Sequence, residues 1–159
     1  AAAADVARGM GLESHVLSDA IEGEAREAGL EHARLALAAK GPCVLLSGGE
    51  TTVTIQAAHG RGGRNSEFML AFALGIAGAE GIHALAADTD GIDGSEDNAG
   101  AFADGGSVAR MKAQGLDAVE LLQAHDAWQA FAGVGDLFIT GPTRTNVNDF
   151  RAMLITPSI

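Results

Sequence analysis

The chain has 159 residues, of which 22 are Gly and 47% are hydrophobic. That length supports one domain burying about two-thirds of its unfolded-chain surface and is too short for two ordinary domains. With 10 basic and 21 acidic residues the formal net charge is −11, and no Lys/Arg run offsets it, which excludes nucleic acid and acidic membrane surfaces as partners. The single Cys43 rules out a disulfide framework or a Cys-based zinc site and suggests the reducing cytoplasm. No segment reads as a cleavable leader, and no apolar run approaches the roughly 18 residues of a membrane span. The sequence opens at Ala1, within an Ala-rich stretch and without an initiator Met, which reads as a piece of something longer.

In chain order, residues 1–10 read as a helix stopped by Gly9 and Gly11, and 15–18 as a short strand. Residues 22–40 give the longest helical pattern, with Leu30, Ala33 and Leu37 on one face and Lys40 before the Gly41-Pro42 stop. The apolar run 43–47 predicts a buried strand, and the alternating, β-branched 51–57 a half-exposed strand antiparallel to it. After a glycine loop at 60–65, residues 66–79 read as an apolar helix, 82–87 as a buried strand and 88–98 as an acidic loop. Short helices follow at 107–114, 118–123 and 127–131, with Ser107, Asp117 and Asp126 as N-caps, then strands at 137–140 and 150–155. Helices alternating with strands predict a single α/β domain over 1–159: three α/β/α layers around a mixed, mostly parallel sheet of about five or six strands, covered on both faces. The abundance of small residues suits close helix packing.

Four polar, glycine-rich loops adjoin predicted strands, where α/β proteins place their ligands. In the first, Ser47-Gly-Gly-Glu-Thr-Thr52, no Lys follows and the next element is not a helix, so a P-loop is excluded. A tight turn and a positioning role for Glu50 both stay open. The second, Gly60-Arg-Gly-Gly-Arg-Asn65, puts two of only 10 basic residues at a helix start and predicts an anion site built by Gly62, Gly63, Arg64 and Asn65. Its echo of the dinucleotide fingerprint is weak, because Asn65 stands at the third glycine and the required acid would be Glu80, ahead of the strand it should follow.

The third loop, Asp88 to Asn98, clusters carboxylates that can hold Mg²⁺ or act as a general base, with Asp90 and Asp93 as candidates. An EF-hand is disfavoured, since Ile92 and Asp93 fall where an oxygen ligand and Gly belong. In the fourth, Thr140 to Asp149, the groups of Thr143, Thr145 and Asn146 suit hydrogen bonding to a substrate hydroxyl or phosphate, or equally the making of turns. The five His residues show no metal spacing, and only His59 lies beside the arginine loop. Cys43 reads as inert packing, and Ser47 lacks the setting of a hydrolase nucleophile.

Taken together, Glu-Gly-Glu-Ala-Arg at 22–26, the first two loops (the second extended to Phe68), Thr-Asp-Gly-Ile-Asp-Gly at 89–94 with Asn-Ala-Gly at 98–100, and the fourth loop resemble the C-terminal half of type II glycerate kinases, long labelled hydroxypyruvate reductases. The last four blocks belong to that family's MOFRL module, and the resemblance covers essentially the whole chain. One departure is Arg144, where the family pattern has Gly.

The resemblance implies ATP-dependent phosphorylation of D-glycerate to 2-phosphoglycerate in a cleft between two domains, with ATP and Mg²⁺ as cofactors. The larger N-terminal domain, which carries an active-site Lys, would be the missing partner, and the isolated fragment would be inactive. Arg64 and Asp90 carry over as catalytic residues: Arg64 to clamp the glycerate carboxylate or the transferring phosphoryl, Asp90 to orient or deprotonate the attacking hydroxyl or to ligate Mg²⁺. Two other readings stand beside this one, an NAD(P)H-dependent hydroxypyruvate reductase and a non-catalytic anion-binding module. Exposure of a docking surface in the severed domain predicts self-association.

Overall fold

The computed structural model describes residues 1–157. The elements are α1 (Ala2–Gly9), β1 (Glu13–Ile21), α2 (Ala25–Ala38), β2 (Cys43–Gly49), α3 (Arg64–Gly75), β3 (Ile82–Asp88), β4 (Gly100–Asp104), α4 (Ser107–Ala113), α5 (Ala118–Gln123), α6 (Ala127–Val134), β5 (Leu137–Phe138) and β6 (Asp149–Ile155). The six strands form one open sheet in the order β1-β2-β6-β3-β4-β5. This is the mixed α/β architecture expected from the sequence.

Strand direction and strand pairing tell different stories. β1, β2, β3 and β5 run one way and β4 and β6 the other, so most strands share a direction. Yet β1–β2 is the one parallel pair among the described neighbours, because β6 returns from the fourth loop and inserts antiparallel between β2 and β3. The mostly parallel sheet expected from alternating helices and strands is corrected to that extent. After the acidic loop the chain returns as β4, an antiparallel partner of β3 that the sequence did not reveal.

One face of the sheet carries the core. Leu45, Ala84, Ala86, Ala101, Ala103, Met153 and Ile155 pack with Phe68, Met69 and Phe72 of α3 and with buried residues of α2, α4, α5 and α6. Residues 65–73 of α3 are all buried, which explains why no amphipathic stripe is visible in that helix. Small residues let α2 and α3 approach: a Cβ at Gly29 would strike the Phe68 carbonyl, and one at Gly75 would strike the Ala33 side chain.

The opposite face differs from the expectation of full cover. Only α1 lies over it among the described elements, against β1 and β2. Val44, Leu46, Leu85, Phe102, Ala152 and Leu154 line an apolar cavity of about 540 Å³ beside that helix, and Phe102 is 43% exposed.

The strand expected at 51–57 is absent. The chain leaves β2 through Gly49 and crosses instead to the start of α2, where Thr52 N donates to Gly23 O at 2.9 Å and Ala25 N to Thr52 O at 2.8 Å. The N–H and hydroxyl of Thr54 both donate to the Glu24 carboxylate. These local bonds meet the polar needs that a ladder would have met. They also hold Glu24 at the N-cap position, so α2 starts at Ala25 and not at 22. Of the three expected caps, Asp117 accepts from Val119 N and Glu120 N at 2.9 and 3.0 Å. Asp126 accepts instead from Arg61 N at 2.9 Å, and Ser107 lies inside α4 with its hydroxyl accepting from Asp104 N at 2.9 Å.

Candidate active site at the strand ends

β2 and β3 both end, and β6 begins, at one edge of the sheet, so that Asp149 is registered against Gly49 on one side and Asp88 on the other. The first residue of α3, Arg64, meets this row of strand ends. Its Nε donates to Asp149 Oδ1 and its NH2 to Asp88 Oδ2, both at 2.7 Å, while NH1 stands 3.7 Å from Glu50 Oε1. Burial draws the Arg64 guanidinium down, but the hydrogen bond and charge of Asp149, with the charges of Asp88 and Glu50, outweigh it and leave the group raised. Arg64 is therefore a permanent cation held along one edge by Asp149 and Asp88, with NH1 facing Glu50.

Behind it sits a saturated buried carboxylate. Asp149 also accepts from Asn65 Nδ2 at 2.9 Å, Thr51 N at 3.0 Å, Thr51 Oγ1 at 3.3 Å and Arg151 NH2 at 2.7 Å. Arg151 is itself wholly buried, lies over the Phe68 ring at 4.8 Å, and has an Nε with no hydrogen-bond partner. Burial pulls its guanidinium down, against the opposing pull of Asp149.

The start of α3 is capped by a distant loop in a way the sequence did not reveal. Asn65 N and Ser66 N donate to the two oxygens of Asp93 at 2.9 and 2.8 Å, and Ser66 Oγ donates to it at 2.6 Å. Two of the N–H groups that would receive an anion at a free helix start, those of Asn65 and Ser66, are thus already used. Burial pushes the Asp93 carboxyl up, opposed by these same bonds. Gly63 is required here because a Cβ would collide with Asp93. Asn65 and Asp93 therefore support the wall from behind.

The acidic loop hangs on Asp88. Its Oδ1 accepts from Asp90 N at 3.2 Å while Oδ2 takes Arg64, so one carboxylate ties both expected catalytic residues together. Burial pushes Asp88 above the usual carboxylate range; the Asp90 N–H and Arg64 oppose this, and the Asp90 charge beside it adds to it. Asp90 itself accepts from Ile92 N at 2.8 Å, and its carbonyl accepts from Thr143 N at 3.0 Å. The Thr143 hydroxyl also donates to Thr89 O, so the fourth loop braces the third. Thr145 N donates to Thr143 Oγ1 at 3.4 Å, and Asn146 Oδ1 accepts from Asn148 N at 2.9 Å. In the described structure these two make turns.

A cavity of about 650 Å³ opens in front of this array, walled by Glu22, Glu50, Thr51, Gly62, Gly63 and Arg64 among others. The structure thus gathers Glu50, Gly62, Gly63 and Arg64 on one wall and puts Asp90 and Thr143 on two neighbouring loops, outside that wall. The second arginine of the glycine loop does not join it: Arg61 stacks on Trp128 at 3.7 Å and pairs with Glu96. His59 is exposed and bonds only the adjacent Gly60 carbonyl, and the buried Cys43 has its thiol pushed up by burial. Among the described residues no three His, Cys, Asp or Glu gather as a metal site. Sequence reasoning missed Asp88, Thr51, Asp149 and Arg151. The available signal was one cation inside the apolar run of β6, and Asp at the ends of two such runs.

The MOFRL family matches residues 43–149. The chain is 38% identical to a glycerate 2-kinase of Pyrococcus horikoshii, over 94% of this chain and 36% of that protein, and 38% identical to a D-glycerate 2-kinase of Thermotoga maritima, over 96% and 38%. A protein of Agrobacterium vitis that bears a provisional hydroxypyruvate reductase name is 54% identical over 97% of this chain and 42% of its own. The crystal structure of glycerate kinase from Thermotoga maritima superposes with a TM-score of 0.94 at 38% identity, covering 97% of this chain and 39% of that one. The chain spans about two-fifths of the length of these curated relatives. With the family matched across most of the sequence and the fold shared throughout, this chain belongs to the MOFRL family.

Proposed function

We propose that this chain is the C-terminal half of a glycerate 2-kinase and supplies part of an active site completed by a larger N-terminal domain. The observation that carries the reading is Arg64, held along one edge by Asp149 and Asp88 in the wall of the cavity and beside the Asp90 loop, with NH1 3.7 Å from Glu50. Phosphoryl transfer is chiefly positioning and charge neutralisation, which a fixed guanidinium and a neighbouring carboxylate are suited to supply. Arg64 receives the glycerate carboxylate or the transferring phosphoryl, with Glu50, Gly62 and Gly63 shaping the wall around it. Asp90 orients the attacking hydroxyl and takes its proton as oxygen bonds to the γ-phosphorus of ATP and the bond to ADP breaks.

The donor set fits Mg²⁺ in one respect: Mg²⁺ is commonly held by one or two carboxylates together with nucleotide phosphates, and Asp90 beside Asp88 offers such a pair. When bound, the ion neutralises phosphate charge. The setting of the glycine loop weighs against hydride transfer: no strand directly precedes α3, and its N–H groups are capped by Asp93, so the dinucleotide fingerprint lacks both its strand and its helix start.

The test is a coupled assay of the full-length protein with D-glycerate, ATP and Mg²⁺. Arg64→Ala is expected to lower kcat/KM by about 10²- to 10³-fold, and Asp90→Asn by about 10²- to 10⁴-fold. The 159-residue chain alone is expected to show no turnover. Oxidation of NADH by hydroxypyruvate without phosphorylation of glycerate would replace this reading with the reductase.

A further inference from the structure

We propose that Asp149 is the positioning residue of this site: it fixes Arg64 through Nε, so that NH1, which stands 3.7 Å from the Glu50 carboxylate, is the nitrogen left to meet a ligand's anionic group. The nature of that ligand rests on the kinase reading above; the clamp rests on geometry alone. A guanidinium is a planar fork, and holding two donors on one edge leaves one direction for the remaining nitrogen. Asp149 Oδ1 takes Nε, and Asp88 takes NH2.

Of the two carboxylates, Asp149 is the one that can act as the fixed reference. Its side chain is 0% exposed, and its five donors come from the segment after β2, from α3 and from β6. Asp88 is divided between Arg64 and the backbone N–H of Asp90. The pairing of Asp149 with Arg151 adds to the case. A buried ion pair is weak as a source of stability and is better understood as orientational, and here it persists although Arg151 Nε has no partner. Arg151 gives the buried Asp149 a second cationic donor, and the two guanidiniums are balanced by the carboxylates of Asp149 and Asp88. Asp149 is not among the residues lining the cavity in front of Arg64, but it bonds two that are, Thr51 and Arg64, so toward that cavity it acts through Arg64.

The experiment uses the full-length protein, labelled with ¹⁵N-arginine. In the wild type the Arg64 Nε–H resonance, assigned by its loss in Arg64→Lys, is expected to be protected from solvent exchange. Asp149→Asn is expected to speed that exchange at least tenfold while the amide spectrum away from the site stays in place. An unprotected Nε–H in the wild type, or one whose exchange Asp149→Asn leaves unchanged, overturns the proposal, and the wild-type measurement decides it even if the variant does not fold.

A double-mutant cycle in the kinase assay reads the same link through function. Asp149→Asn is expected to lower kcat/KM at least tenfold when Arg64 is present and less than twofold in the Arg64→Ala background. Equal losses in both backgrounds would make Asp149 a general structural residue and overturn the proposal. A protected Nε–H in a protein without kinase turnover would instead refute the functional reading and leave the clamp standing.

Discussion

Arg64 shows how little of a site residue's role is fixed by its type. Two arginines fall within four positions of one glycine loop, and at sequence level they are equivalent. The structure separates them: Arg61 is committed to Trp128 and Glu96, while Arg64 alone reaches the strand ends. Their difference depends on partners 24 to 85 positions away in the chain, which no local pattern encodes. Arg144 is the reverse case, since the sequence reading marked it as standing where the family pattern has Gly. Its φ of 62° lies in the left-handed region that costs a non-glycine residue about 1 kcal/mol. Arg144→Gly is therefore expected to raise stability by up to about 1 kcal/mol, read as a shift of the urea midpoint. A lowered midpoint would mean that the Arg side chain contributes contacts that outweigh the backbone cost.

Among the elements, α3 depends on a cap from a distant loop. Asp93 satisfies two backbone N–H groups and a hydroxyl at its first turn while fully buried. Asp93→Ala leaves those donors without partners, so a loss of about 1–3 kcal/mol is expected, and with it a loosened Arg64. Chemical denaturation checks the first, and the KM for glycerate checks the second.

In α2, the buried His32 accepts from Ser47 Oγ at 2.8 Å through Nε2 and donates to Ala28 O at 2.7 Å through Nδ1. Burial draws its pKa below the usual value, against the Ala28 hydrogen bond. The unfolded chain then binds the proton more readily than the folded one. Stability is expected to rise with pH below about 6.5, the ordinary value for His, by no more than one proton's slope, about 1.4 kcal/mol per pH unit. His32→Gln is expected to flatten that slope in melts between pH 5 and 7; an unchanged slope would assign it to the carboxylates.

The helices and apolar strands were legible because periodicity and turn residues mark them. β4 and the crossing at 51–57 were not, for opposite reasons. β4 is the five-residue Gly-Ala-Phe-Ala-Asp, without a β-branched residue, and is held by registry against β3. Residues 51–57 have the β-branched signal and no partner strand, because Gly49 turns the chain toward α2.

For the molecule as a whole, element order was enough to place the α/β class, and the contiguous loop motifs were enough to point to the family. The order of strands was not legible. It is set by where β6 inserts, and β6 is joined to β5 by an irregular loop that carries no topological signal. That insertion is also what makes the site, because it brings Asp149 and Arg151 between β2 and β3. The sheet face beside α1, with Phe102 and Leu85 at its open end, suggests that the 159-residue chain alone self-associates. Sedimentation velocity is expected to show a mass above 16.1 kDa at high protein concentration, and a strictly monomeric profile would contradict this.

The central claim is that Arg64, fixed at the strand ends, serves phosphoryl transfer to glycerate. It is tested most directly by following the ³¹P spectrum of full-length wild type and Arg64→Ala with D-glycerate, ATP and Mg²⁺. The account requires the 2-phosphoglycerate signal to grow at the expense of ATP with the wild type and to be slowed at least 100-fold by Arg64→Ala. Equal rates of product formation by the two proteins, or no phosphorylated glycerate from the wild type, would contradict it.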